Sequence, residues 1–267
     1  MTALSYLSAI RFSGADAGDF LHKQLSADVL ALSAGESTFA CYCEPKGRVL
    51  ALMLVCRLDD AFYVIMSSPL ASPVADRLKI YVMRSKVDIE LLTATVMGSQ
   101  TDSQQQASTH PSFTIPLPDS DRWFALEDEA EKNAAAESVW KIWELQRGIT
   151  WLSRKSSGEF LPQMLGFDQL GAVNFRKGCY PGQEIVARTH YLGKVKRHPR
   201  VLTTTAVICP APLEQLKILS GDEYYKAVIA DCGHLENGSS CLFAITRMDP
   251  DLTADSIEYH GQIAPLV

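Results

Sequence analysis

The tightest constraint on this chain is a thiol set between two glycines. In Lys177-Gly178-Cys179-Tyr180-Pro181-Gly182-Gln183-Glu184 the cysteine lies just after a lysine and just before a run with helical spacing. Gly178 and Gly182 let the backbone bend sharply there and let a ligand come close. Pro181 suits the first turn of the helix, where its missing N–H would have no partner anyway. Cysteine reacts as its thiolate, and a neighbouring cation and a helix N-terminus both favour that form. On this reading Cys179 is a reactive thiol and Lys177 its electrostatic neighbour. A helix-initiating turn around a buried, inert cysteine accounts for the same residues.

Charge sharpens the question. Seven basic residues, Arg176, Lys177, Arg188, Lys194, Lys196, Arg197 and Arg200, stand against the single acid Glu184 between positions 176 and 200. That segment is +6 in a chain of net charge −6, which leaves −12 for the rest. The overall charge argues against non-specific nucleic-acid binding by the whole molecule, while the stripe fits one site for an anionic ligand. A solvated charged face accounts for it too. Glu184 and Arg188, four apart, fit a surface pair equally well.

With 267 residues there is ample material for one large domain or two. The seven cysteines are odd in number and irregular in spacing, which argues against a disulfide framework. Cys41 and Cys43 read as buried small hydrophobes on one face of a strand, with no second pair at zinc spacing. His190 and His198 lack partners at metal spacing, so no metal site is expected. There is no basic region followed by an apolar core at the N-terminus and no membrane-length apolar run. A soluble, cytoplasmic protein is expected.

Apolar spacing predicts a helix over Ala15 to Val29, which would put Gln24 and Asp28 on one face. Thr38 to Cys43, Val49 to Cys56 and Phe62 to Met66 read as a three-stranded meander, with a turn at Glu44-Pro45-Lys46-Gly47. Leu70, Val74, Leu78 and Val82 predict a helix over Pro69 to Met83. Strand-like runs follow at Val87 to Leu92, Thr95 to Met97 and Trp123 to Leu126. Ser99 to Asp121 reads as a long loop, and a helix carries Val139, Ile142 and Trp143. Short strands after Arg200, with turns at Gly221, Gly233 and Asn237-Gly238, predict a small β-barrel. Helices and strands in mixed order ending in an all-β unit indicate an α+β protein.

The octet continues through Ile185-Val186-Ala187-Arg188 and Tyr191-Leu192-Gly193-Lys194-Val195-Lys196-Arg197, and together they resemble the signature of the YgfZ-type folate-binding proteins. These are relatives of the glycine-cleavage T-protein, an aminomethyltransferase. Phe20 to Asp28, Cys41 to Arg48 and Glu159 to Gln163 resemble further boxes of that family, in family order. The resemblance implies an aminomethyltransferase-like fold, with interleaved subdomains over residues 1–198 around a central cavity and a C-terminal β-barrel over 199–267. It implies tetrahydrofolate or a one-carbon derivative in that cavity, with Gln24, Asp28, Tyr180, Gln183, Glu184, Arg188, Lys194 and Arg197 as candidate contacts. Among these, Arg188, Lys194 and Arg197 would meet the anionic tail, and Tyr180 or Trp143 would line the pterin pocket.

The chain departs from the transferases where their chemistry is done. Their box after the turn runs Gly-Gly-Ile-Leu-Asp-Asp, whereas this chain has Gly47-Arg48-Val49-Leu50-Ala51-Leu52. Ala51 and Leu52 cannot hold a proton. The transferases' arginine and glutamate are replaced by Glu144 and Gln146. The resemblance therefore implies a folate-dependent accessory factor of iron–sulfur cluster assembly or repair, with cluster enzymes or assembly factors as clients and an indirect effect on tRNA modification. A one-carbon transferase or demethylase using Cys179 is the alternative. Direct RNA binding through the stripe from Arg188 to Arg200 is a third.

Overall fold

The computed structural model describes residues 1–100, 114–128, 130–193 and 195–267. Three antiparallel sheets organise those residues. The five-stranded sheet is built from β2 (Leu7–Ser13), β3 (Ser37–Cys43), β4 (Val49–Leu58), β5 (Ala61–Ser67) and β6 (Asp88–Leu91), in the order β3-β4-β5-β2-β6. Its meander β3-β4-β5 is the expected one, and Gly47 N–H closes the expected turn on the Glu44 carbonyl at 2.8 Å. Helix α2 (Ser68–Val82) buries Leu70, Val74 and Leu78, spaced as an amphipathic helix requires.

The second sheet takes β1 (Thr2–Ala3), β7 (Thr95–Gln100), β8 (Ile115–Pro116) and β9 (Arg122–Glu127) in the order β1-β7-β9-β8. Helix α3 (Ala134–Gln146) can lie close to it because Gly98 has no Cβ. A methyl there would stand 2.8 Å from the Trp140 ring. The loop expected over Ser99 to Asp121 falls largely on 101–113, outside the described residues, and β8 occupies part of the remainder.

The third sheet joins β10 (His198–Thr204), β11 (Gln215–Ser220), β12 (Glu223–His234), β13 (Ser240–Thr246), β14 (Ser256–Tyr259) and β15 (Gln262–Pro265) in the order β10-β13-β12-β11-β14-β15. Its edges meet where Thr204 bridges Leu266 and Val267 N–H reaches the Thr203 carbonyl at 2.9 Å. That closure makes the expected barrel. Strand β13 is buried along its whole length. Alternation explains why: Leu242 and Ala244 enter the barrel core, while Cys241, Phe243 and Ile245 enter the larger core shared with the two other sheets.

Three expectations are corrected. The first helix, α1, spans only Ala17–Gln24. Leu25 leaves it to bridge Tyr42 of β3, and the Ser26 hydroxyl accepts Cys41 N–H at 2.7 Å while donating to the Ala172 carbonyl at 2.5 Å. Gln24 and Asp28 therefore share no helix face. Pro181 precedes its helix instead of opening it, because α4 (Gln183–Tyr191) starts after Gly182 at φ 84°. Finally, one pair of cysteines is joined: Cys209 and Cys232, with Cα atoms 5.7 Å apart, tie a barrel loop to β12. Among the described residues, no helix is long and apolar enough to cross a membrane.

Candidate functional site around Cys179

The octet folds over the C-terminal end of α1. Carbonyls in the last turn of a helix have no partner within it, and here Lys177 supplies one. Its Nζ donates to the Leu25 carbonyl at 2.6 Å and to the His22 carbonyl. The side chain is 8% exposed. Burial pushes its amine down to about 8, while the nearby Asp28 and Cys179 pull the other way. The Tyr180 ring lies beneath the same amine at 5.3 Å. Tyr180 is buried against Cys41 and Cys43, and burial drives its phenol up. Cys41 is likewise driven well up by burial and is inert.

Backbone contacts fix the loop. The Asn174 side-chain carbonyl accepts Arg176 N–H at 2.8 Å and Lys177 N–H at 3.1 Å, and Asn174 N–H reaches the Ser26 carbonyl at 2.9 Å. Gly182 sits against the Glu44–Gly47 turn so closely that a Cβ would lie 2.4 Å from the Glu44 carbonyl oxygen. Cys179 itself is exposed. The loop thus presents a free thiol on a rigid support, with a buried cation beneath.

The predicted residues divide accordingly. Asp28 faces this cluster, with Oδ1 3.2 Å from His22 Nδ1. Burial first, and the Lys177 charge second, lower the His22 imidazole. Gln24 ends α1, half-buried. Gln183 in the first turn of α4 donates to the Lys177 carbonyl at 3.3 Å. Glu184 and Arg188 are exposed on α4, with no ion pair between them among the described residues. Lys194 lies outside the described residues. Arg197 lines a cleft whose other walls are barrel residues. Trp143 lies between the Arg122 and Arg147 guanidiniums, at 4.0 and 5.1 Å, and packs on Trp140. Arg48 donates to the Glu159 carbonyl, joining the turn to the segment before the octet.

Sequence reasoning missed two features. Gln163 is held by its amide on the Val186 carbonyl of α4 at 2.8 Å, yet its Oε1 is buried without a partner among the described residues. Glu144, noted only as a mismatch, is fully buried in α3. It accepts Tyr6 O–H at 2.8 Å and Trp140 Nε1–H at 3.2 Å, and burial pushes its carboxyl up to about 7. The box Glu159 to Gln163 and the departure at Glu144 mark the two positions in the sequence, but their surroundings depend on packing between distant segments.

No family model matches the chain. An uncharacterised protein of Haemophilus influenzae is 31% identical over 198 residues, covering 73% of this chain and 70% of that protein. The tRNA-modifying protein YgfZ of Klebsiella pneumoniae is 29% identical over 278 residues, covering 92% and 84%. That of Vibrio atlanticus is 29% identical over 226 residues, covering 77% and 70%. The glycine cleavage system aminomethyltransferase T of Bartonella henselae superposes with a TM-score of 0.71 over 99% of this chain and 83% of its own, at 12% identity. At that identity the likeness is one of fold.

Proposed function

The chain belongs to the YgfZ-type family, and from that premise we propose that it is a folate-binding accessory protein of iron–sulfur cluster assembly or repair in the cytoplasm. Its clients are cluster enzymes or assembly factors, and its effect on tRNA modification is indirect. One observation carries the reading. The exposed Cys179 thiol stands on a loop anchored by the buried Lys177 to the carbonyl end of α1, which presents the thiol to a client instead of enclosing it.

Tetrahydrofolate, when bound, supplies a one-carbon unit or a reduced pterin. Two features of this chain suit such a ring. The Gln163 Oε1, buried without a partner among the described residues, is an acceptor suited to a ring N–H, and the Tyr180 ring, buried beneath the Lys177 amine, is the aromatic group next to Cys179 in the chain. Arg188 is exposed and has no ion pair among the described residues, which suits an anionic tail. In this reading Lys177 positions the loop and Cys179 makes contact with the client. The aminomethyl-transfer alternative draws no support from positions 51 and 52, where Ala51 and Leu52 are buried in β4.

Anaerobic calorimetric titration with tetrahydrofolate tests the proposal, on wild type and on Cys179→Ser. Saturable one-to-one binding by both is expected and places Cys179 in chemistry or client contact, not in the grip on the ligand. No binding by wild type overturns the folate reading.

A further inference from the structure

The outer face of the barrel carries a cleft of about 440 Å³ walled by Arg197, Gln215, Tyr224, Lys226, Val228 and Arg247. Strand pairing brings these residues together. Lys217 of β11 stands opposite Lys226 of β12, and Gln215 stands opposite Val228. Residues directly opposite in an antiparallel pair share a face, and alternation adds Tyr224 to it. Val228 in turn stands opposite Ile245 of β13, and Arg247, two residues on, prolongs that face past the strand's end. Arg197 directly precedes β10, whose His198 stands opposite Thr246.

Like charges directly opposite across a ladder oppose folding. Lys217 is relieved by Glu258, at 3.0 and 3.1 Å. Arg197, Lys226 and Arg247 have no carboxylate within ion-pair distance among the described residues. Among the described residues, no carboxylate lines the cleft. Tyr224 is 59% exposed, although Lys217 Nζ lies 5.4 Å over its ring. Three unpaired cations around an exposed aromatic ring are ill suited to the interior of a fold and well suited to a strand of phosphates and bases.

We propose that this cleft binds single-stranded RNA, with phosphates at Arg197, Lys226 and Arg247 and a base stacked on Tyr224. The site is separate from the loop of Cys179 and does not depend on the folate reading. The −6 net charge confines attraction to this local field and disfavours binding elsewhere on the surface.

Fluorescence anisotropy with a labelled oligouridylate dodecamer tests the proposal, over about 50 to about 200 mM KCl. Wild type is expected to bind with a log–log salt slope of roughly −2, because each phosphate neutralised on a single strand adds about −0.7. The double variant Lys226→Ala/Arg247→Ala is expected to bind at least tenfold more weakly, with a slope near −0.7. Tyr224→Ala is expected to weaken binding about fivefold or more without changing the slope, since stacking is not electrostatic. Arg176→Ala, beside Cys179, is expected to bind as wild type does. Thermal melts confirm that each variant is folded. Absence of binding by wild type overturns the proposal, as does wild-type affinity in the double variant. Binding to phosphatidylserine vesicles without binding to the oligonucleotide overturns it as well, as does a loss confined to Arg176→Ala.

Discussion

The loop of Cys179 and the outer face of the barrel both gather positive charge, and they use it in opposite ways. In the loop, Lys177 is buried and its amine is committed as a donor to the His22 and Leu25 carbonyls, so its hydrogen bonds support the fold. On the barrel face, Lys226 and Arg247 are exposed and have no ion pair among the described residues, so their charge is left for a ligand. Backbone packing differs in the same sense. Gly182 touches the Glu44–Gly47 turn, whereas a Cβ on Gly221, in the β11–β12 turn at φ 56°, would have nothing within 4 Å among the described residues. A cation inside close-packed backbone is part of the scaffold; one on an open sheet face is available for recognition.

The largest test of this contrast compares Gly182→Ala with Gly221→Ala. Both residues have positive φ, which costs an alanine about 1–2 kcal/mol. Only Gly182 adds a clash, so its variant is expected to lose roughly 3–5 kcal/mol against about 1 for the other. Urea unfolding measures both, and equal losses would break the comparison.

Next in size, Lys177→Met leaves two carbonyls without their donor and is expected to cost roughly 2–3 kcal/mol. Lys226→Met is expected to stay within about 0.5 kcal/mol of wild type. Lys177 also carries a pH signature. Its amine falls from 10.5 in the unfolded chain to about 8 in the fold. The unfolded state therefore binds the extra proton between those values, and stability from this group rises as pH rises from 8 to 10.5. Unfolding of Lys177→Met should lack that rise.

The smallest effect concerns α3, the helix joining the body to the barrel through Lys141 Nζ and Asp231 at 2.5 Å. Here the buried titrating group is a carboxyl. Glu144 rises from 4.5 to about 7, so the folded state holds a proton that the unfolded chain releases. Its contribution is complete below 4.5 and is lost as pH rises through 7, about 2 kcal/mol between about pH 5 and pH 7. Glu144→Gln should flatten that decline, and a decline unchanged in the variant would assign it to another group.

What could be read from the chain depended on how local the signal was. The meander and α2 follow from periodicity within one segment, and the barrel from short strands and the turns at Gly221 and Asn237-Gly238, whereas Gly233, also read as a turn, lies inside β12 opposite Cys241. The octet announced the thiol, because lysine, glycine and proline act on their immediate neighbours. The end of α1 was hidden, since apolar spacing continues through Leu25 and only pairing with Tyr42 ends the helix. The Cys209–Cys232 pair was obscured by an odd count in which the five other cysteines are free. Lys177 reads as an electrostatic neighbour of the thiol, yet its hydrogen-bonding partners lie more than 150 residues away. The barrel cleft depends on register across three strands, which no single window of sequence contains.

The contact between Gly47 and Gly182 has a consequence for anyone recombining this molecule with its relatives. Two segments separated by about half of the chain meet there without an intervening side chain, so they form one interlocking part. A chimaera that imports the Cys179 segment from a relative should also import the matching hairpin, because each was shaped against the other's main chain. Exchanged singly, either would arrive without its mould.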